Sequence, residues 1–315
     1  MTKIFFVTDV HGSEKAFRKF TNAGKFYGVN ALILGGDLTG KMVVPVVKQP
    51  DGSYSVRYLG TVQVFNEEEV QGIEKNISGS GYYPYRTTRD ELQEFTKEKT
   101  RQLFLKLMKE RLASWLKLIE ERLGGSGIQV YVTGGNDDPV EIEEVLNSSN
   151  AIINAQDKIY KIDEHHELIS SGLSNPTPWN TPREVSEEKL LESLEAMMPK
   201  VQDMKNAIFN LHVPPKDSGL DTCPLLDASV DPPKPMVKGG QVVMFGAGSS
   251  AVRTTIEKYQ PLLGLHGHIH ESRNATQIGR TLCINPGSEY SEGILRGAII
   301  TLDKDKIKSY QLSSG

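Results

Sequence analysis

Cysteine is scarce in this chain. Its 315 residues hold two, Cys223 and Cys283, with no close spacing between them. That excludes a disulfide framework and the paired thiols of a structural zinc site, so both thiols are read as buried or incidental. Long apolar runs are missing as well. Ile4-Phe5-Phe6-Val7 stops at Asp9, too short for a signal-peptide core, and no run approaches the ~20 residues of a membrane helix. Nor is positive charge in excess: 36 Lys and Arg stand against 40 Asp and Glu, a net charge of −4. This speaks against a long electropositive groove for nucleic acid, although it leaves room for a small positive pocket built on metal ions. Internal repeats and low-complexity tracts are absent, and the sequons at Asn76, Asn147 and Asn274 are chance matches without a secretory signal. These absences predict a soluble cytoplasmic protein with no membrane partner, and they disfavour nucleic acid.

Histidine is rare too, seven in all, yet three stand at alternate positions in Gly264-Leu265-His266-Gly267-His268-Ile269-His270. In an extended run, alternate side chains share a face, and a glycine lets the backbone turn or approach a neighbour closely. Imidazole is the commonest nitrogen donor to metals, so the run becomes a metal candidate if carboxylates arrive from elsewhere.

The chain supplies them at strand ends. Lys3 to Thr8 reads as a buried strand, delivering Asp9 and His11 before a helix that Ser13 caps and that runs to about Gly24. Open α/β sheets place ligands in such strand-to-helix loops. Asn30 to Leu34 leads in the same way to Gly36-Asp37, and Ile128 to Thr133 to Gly135-Asn136-Asp137, with a helix expected from Pro139. Ala207 to Leu211 delivers His212, and Pro261 to Leu265 the histidine run.

Residues 41–125 interrupt this alternation. They read as a hairpin about Gln49-Pro50-Asp51-Gly52, a short helix over 66–76, a loop over 77–85, and a helical segment from Thr88 to about Leu123. Leu105, Met108, Leu112, Trp115, Leu116, Ile119 and Leu123 form one stripe on that helix, for packing against the domain or a second copy of the chain. His165 and His166 read as solvated turn residues, and 216–238 as a mobile loop.

The ordered set Asp9-x-His11, Gly36-Asp37, Gly135-Asn136-Asp137, His212 and Gly267-His268-x-His270 closely resembles the calcineurin-like metallophosphoesterase family, in its uncharacterised prokaryotic phosphoesterase branch. The likeness covers most of the chain outside 41–125, with the motifs in the family's order. It implies an α/β (α+β) fold, a four-layer double β-sandwich flanked by helices. One domain over 1–315 would carry a hairpin-plus-long-helix insertion at 41–125. It also implies two divalent metal ions, one on Asp9, His11 and His270 and the other on Asn136, His212 and His268, with Asp37 bridging. Carboxylate, imidazole and amide donors without thiolate suit manganese, iron, zinc or cobalt better than calcium.

One position departs from the pattern. In many members a histidine follows the asparagine ligand and protonates the leaving group, whereas here Asp137 stands there. A carboxylate beside two cations is a poor acid at neutral pH, which favours phosphodiesters or aryl esters over alkyl monoesters unless His266 donates instead. Arg183, in the proline-rich loop 174–183, is the cation of that loop and a candidate contact for substrate phosphate, or else a surface arginine beside Glu184. The expected function is metal-dependent hydrolysis of phosphate esters. The rivals are a non-catalytic metal-binding scaffold that meets a protein partner through 41–125, and a nuclease, which the acidic balance disfavours. Self-association through the insertion is a further expectation.

Overall fold

Every apolar run that ends in a candidate ligand is a strand buried on both faces. In the computed structural model, which describes residues 1–230 and 232–315, Ile4 to Val7, Ala31 to Leu34 and Ile208 to Leu211 are all buried. That is the pattern of parallel strands covered from two sides. Two six-stranded sheets result. The first runs, edge to edge, Lys306–Ser314, Arg296–Asp303, Thr2–Val7, Ala31–Leu34, Gln129–Val132 and Ile153–Asn154. Its last four strands are parallel and the first two antiparallel. The second runs Asn274–Ile278, Thr281–Asn285, Leu263–Leu265, Ile208–Leu211, Glu167–Ser171 and Lys158–Lys161, with the four inner strands parallel.

Period-two alternation divides the side chains among three cores. Ile4, Phe6, Ala31 and Ile33 meet Leu168, Ile208, Leu263 and Leu265 between the sheets. Phe5, Val7, Leu32 and Leu34 face the other way, onto the helices Glu14–Phe26 and Lys97–Leu123. Ile169, Phe209 and Leu211 face Glu187–Met197 and Ser250–Tyr259. The layers are therefore helix, sheet, sheet, helix. Because the strands that carry the motifs are parallel within each sheet, their carboxyl ends gather at one edge. The sheets meet there, His212 Nδ1 of the second lying 3.1 Å from Gly35 O of the first.

Several local expectations are corrected. The helix expected from Thr88 to Leu123 is two helices, because two start signals compete. Thr88 caps Arg89–Gln93 in a capping box with Glu91, and Thr96 caps Lys97–Leu123. The region 77–85, expected as a loop, holds the end of a helix, Val70–Gly79, and the start of a strand, Tyr83–Thr88. That strand pairs parallel with Val43–Lys48 in a four-stranded sheet, a long-range pairing that glycines 79 and 81 hide in the local pattern. The segment 216–238, read as a mobile loop, carries short ribbon strands such as Thr222–Pro224, which pairs with Met244–Gly246. His166 is buried rather than solvated, its Nδ1 2.8 Å from an Asp163 oxygen.

The long helix's stripe is used inside the chain. Trp115 stacks on Phe17 with ring centroids 3.9 Å apart, and its indole N–H donates to Glu14 Oε1 at 2.8 Å. With Met108, Leu112, Leu116, Ile119 and Leu123 also buried, the surface that motivated self-association is not free. No helix among the described residues is long and apolar enough to cross a membrane. Trp115→Ala is expected to lower unfolding stability by about 3–5 kcal/mol, the usual cost of emptying a large aromatic site. Urea denaturation checks this; a loss below about 1 kcal/mol would mean that the helix does not complete the core.

Candidate metal centre

Four of the donor residues sit in the left-handed region of backbone space: Asp9 at φ 53°, His11 at 38°, Asp37 at 51° and His268 at 66°. Non-glycine residues rarely adopt it, and each instance costs roughly 1–3 kcal/mol. The surrounding structure holds them there. Asp138 is the main tie: its buried carboxylate accepts from Leu38 N, Thr39 N, the Thr39 hydroxyl and Gly135 N, joining the Asp37 loop to the Asn136 loop. Glycines make the close approaches possible. A Cβ on Gly36 would lie 2.2 Å from His212 Nδ1, and one on Gly267 would lie 2.3 Å from Asp9 Oδ2.

The seven expected donors converge. Asp9 Oδ1 lies 3.3 Å from His270 Nε2 and 3.9 Å from His11 Nε2, and the two ring nitrogens face each other at 3.1 Å. On the other side, Asn136 Oδ1 lies 2.7 Å from His268 Nδ1 and 3.1 Å from His212 Nε2. Asp37 Oδ2 stands between, 3.5 Å from His11 Nε2 and 3.4 Å from His212 Nε2. Asp9, His11 and His270 thus form one group whose ligand atoms can hold a cation, and Asp37, His212 and His268 another. Such clusters of imidazole and carboxylate, with no thiolate, suit borderline divalent ions.

Buried charge sets the electrostatics. Burial alone would raise the pKa values of Asp9 and Asp37, yet both are lowered, Asp9 mainly by His270 and His212 and Asp37 mainly by His212. Burial likewise works against charge on His212, but the Asp37 carboxylate beside it wins and pushes its pKa up to about 9. His268, buried and next to His212, is pushed down to about 4. Two carboxylates in the interior thus demand compensating positive charge.

An outer ring of contacts orients the donors. The Asn136 amide donates from Nδ2 to Thr181 Oγ1 at 2.9 Å, which turns its Oδ1 toward His268 and His212. The Ser288 hydroxyl donates to Asp9 O, and Tyr290 packs on His11 at 4.6 Å between ring centroids. Residues 78–111 also reach the site. Arg111 donates to Gly12 O, and Gly81 lies so close to His11 O that a Cβ would stand 2.2 Å away.

Two expected site residues are elsewhere. His266 is buried behind the cluster, its Nδ1 2.8 Å from Leu211 O and its Nε2 without a polar partner, close against Gly264. Burial pushes its pKa down to about 4, which favours the neutral ring. Arg183 is neither at the mouth nor on the surface. Its guanidinium is buried, donating from Nε to Asp138 O and pairing with Glu143 at 2.8 Å, because the proline-rich loop folds over the Asn136 loop. Asp137 does reach the mouth, with Oδ2 3.8 Å from His11 Nδ1. Sequence reading missed its partner Lys41, whose Nζ lies 2.9 Å from Asp137 Oδ2. Burial opposes the ammonium's charge, but the Asp137 and Asp37 carboxylates outweigh it and raise its pKa. The signal was a lysine four residues beyond Asp37 in the same loop.

The comparisons with known proteins add a fold. No protein-family model matches the chain. It is 32% identical over 161 residues to an uncharacterised protein of Methanocaldococcus jannaschii, MJ1162. That match takes in 50% of this chain and 64% of the relative, so the chain spans less than two thirds of it. Among solved structures it resembles TT1561 of Thermus thermophilus, with a TM-score of 0.53 at 14% identity over 100% of this chain and 98% of that one. An archaeal phosphodiesterase, covering 99% of each chain at 13% identity, reaches a TM-score of 0.40, too slight a likeness to bear on this one. With its layers and its gathered strand ends, the chain has a layered α/β fold shared with TT1561.

Thr181→Val keeps the shape of the side chain but removes the acceptor that orients Asn136. Metal affinity is expected to fall about 10–100-fold, the usual effect of losing such an outer contact. Competition with a chelating dye measures it, and unchanged affinity would remove Asn136 from the donor set.

Proposed function

We propose that this chain is a metal-dependent phosphoesterase of the calcineurin-like metallophosphoesterase family, acting at a dinuclear centre. The observation that carries the reading is the position of Asp37 Oδ2, nearly equidistant from His11 and His212, with a set of further donors on each side. Asp9, His11 and His270 would hold one divalent ion and Asn136, His212 and His268 the other, with the Asp37 carboxylate within reach of both groups. Manganese, iron, zinc and cobalt all suit these donors. When bound, such a pair would stabilise charge during in-line displacement at phosphorus and ease deprotonation of the attacking water.

The chain's own residues set the leaving-group preference. Among the described residues, the imidazoles at the cluster are His11, His212, His268 and His270, and all four would be engaged as ligands when ions are bound. The position beside Asn136 holds Asp137, whose carboxylate is engaged by Lys41. No imidazole is left to protonate a departing alkoxide, so diesters and aryl esters are favoured over alkyl monoesters. The scaffold alternative fares worse, because residues 78–111 wrap the centre instead of standing away from it. Residues 41–125 are read as an insertion in a single domain that walls the site.

Manganese-loaded protein is expected to hydrolyse a nitrophenyl phosphodiester, and Asp37→Asn to lose both a metal equivalent and at least about a hundredfold in turnover. An active Asp37→Asn variant with unchanged metal content would sink the bridging role. Asp137→His tests the preference. At saturating manganese, an imidazole beside Asn136 should raise alkyl monoester turnover, up to the 10²–10⁴-fold typical of general acid catalysis, and leave aryl diesters little changed. Flat monoester turnover with both ions bound would show that residue 137 does not face the leaving group.

A further inference from the structure

Asp137 poses an electrostatic problem at the mouth. Its backbone N–H donates to Asp37 Oδ1 at 3.0 Å and its carboxylate is partly exposed, where an anionic ester must approach. A bare carboxylate there would repel the substrate. Lys41 answers it. The backbone leading to Lys41 is fixed: Asp138 holds the amides of Leu38 and Thr39, and the Tyr83 hydroxyl accepts from Gly40 N at 2.9 Å. From that base the lysine, 46% exposed, places its ammonium 2.9 Å from Asp137 Oδ2. Among the described residues it is the one lysine or arginine paired with a carboxylate of this cluster, since Arg183 pairs with Glu143 and Arg111 with Glu14.

We propose that Lys41 is the cation that receives the substrate's phosphate at the mouth of the metal centre, with the Asp137 carboxylate as its resting partner. The proposal rests on the phosphoesterase reading. An exposed ion pair adds only about 0–1 kcal/mol to stability, so the fold does not call for this one. A lysine suits the task because its charge rides on a flexible stem, able to swing from a carboxylate oxygen to a phosphate oxygen while both remain in reach. At rest on Asp137 it cancels that carboxylate's charge before the substrate arrives.

Inorganic phosphate, titrated calorimetrically into manganese-saturated protein of measured metal content, reads this without turnover. Lys41→Gln should weaken phosphate binding by about tenfold or more, the loss of one charge-assisted hydrogen bond. Lys41→Arg should restore most of the affinity, and Asp137→Asn should leave it equal or tighter. With a nitrophenyl diester, Lys41→Gln should raise KM more than it lowers kcat. Phosphate binding by Lys41→Gln equal to that of the parent protein overturns the proposal, and so does a parent protein that binds no phosphate. Absence of diester turnover in a parent protein that does bind phosphate counts against the phosphoesterase reading alone.

Discussion

Two ionised carboxylates, Asp9 and Asp37, lie in the interior with almost no contact with water. Transferring such groups from water costs several kcal/mol each unless positive charge comes with them. The arrangement of this edge of the molecule follows from that requirement. Four imidazoles and an amide from four strand ends close on the two carboxylates, and Asp37 is shared between the two halves of the cluster. A fold that wanted only stability would fill this space with apolar side chains; cations are what the donors are shaped for.

Placing the donors strains the backbone, and the strain is borne by a rigid outer frame. Asp9, His11, Asp37 and His268 are held in the left-handed region while Asp138, Thr181 and Ser288 tie their loops together from behind. The frame draws on both sheets and on residues 78–111, so the centre belongs to no single element. Parallel strands in both sheets make this possible, since they present several carboxyl ends side by side.

Much of this was legible in the sequence because the signals are local. Buried runs such as Ile4 to Val7 followed by Asp-x-His, or by Gly-Gly-Asp, announce both a strand and what its end delivers. What was not legible depends on long-range contact. His266 shares the spacing of His268 and His270, but the backbone turns at His268, φ 66°, and leaves His266 buried with its Nδ1 on Leu211 O. Arg183 reads as a loop cation, although 45 residues separate it from Asp138, whose carbonyl it holds. Asp138 itself looks like one more turn aspartate after Asp137, and only the fold reveals the four groups that its carboxylate accepts. The strand Tyr83–Thr88 was hidden for the same reason, its partner lying some forty residues upstream.

The central claim is a pair of cations bridged by Asp37, and anomalous diffraction from crystals grown with manganese tests it most directly. The account predicts two peaks, one among Asp9, His11 and His270 and one among Asn136, His212 and His268, roughly 3.5–4 Å apart with Asp37 Oδ2 between them. A single peak at full occupancy, or two that do not share Asp37, would contradict it.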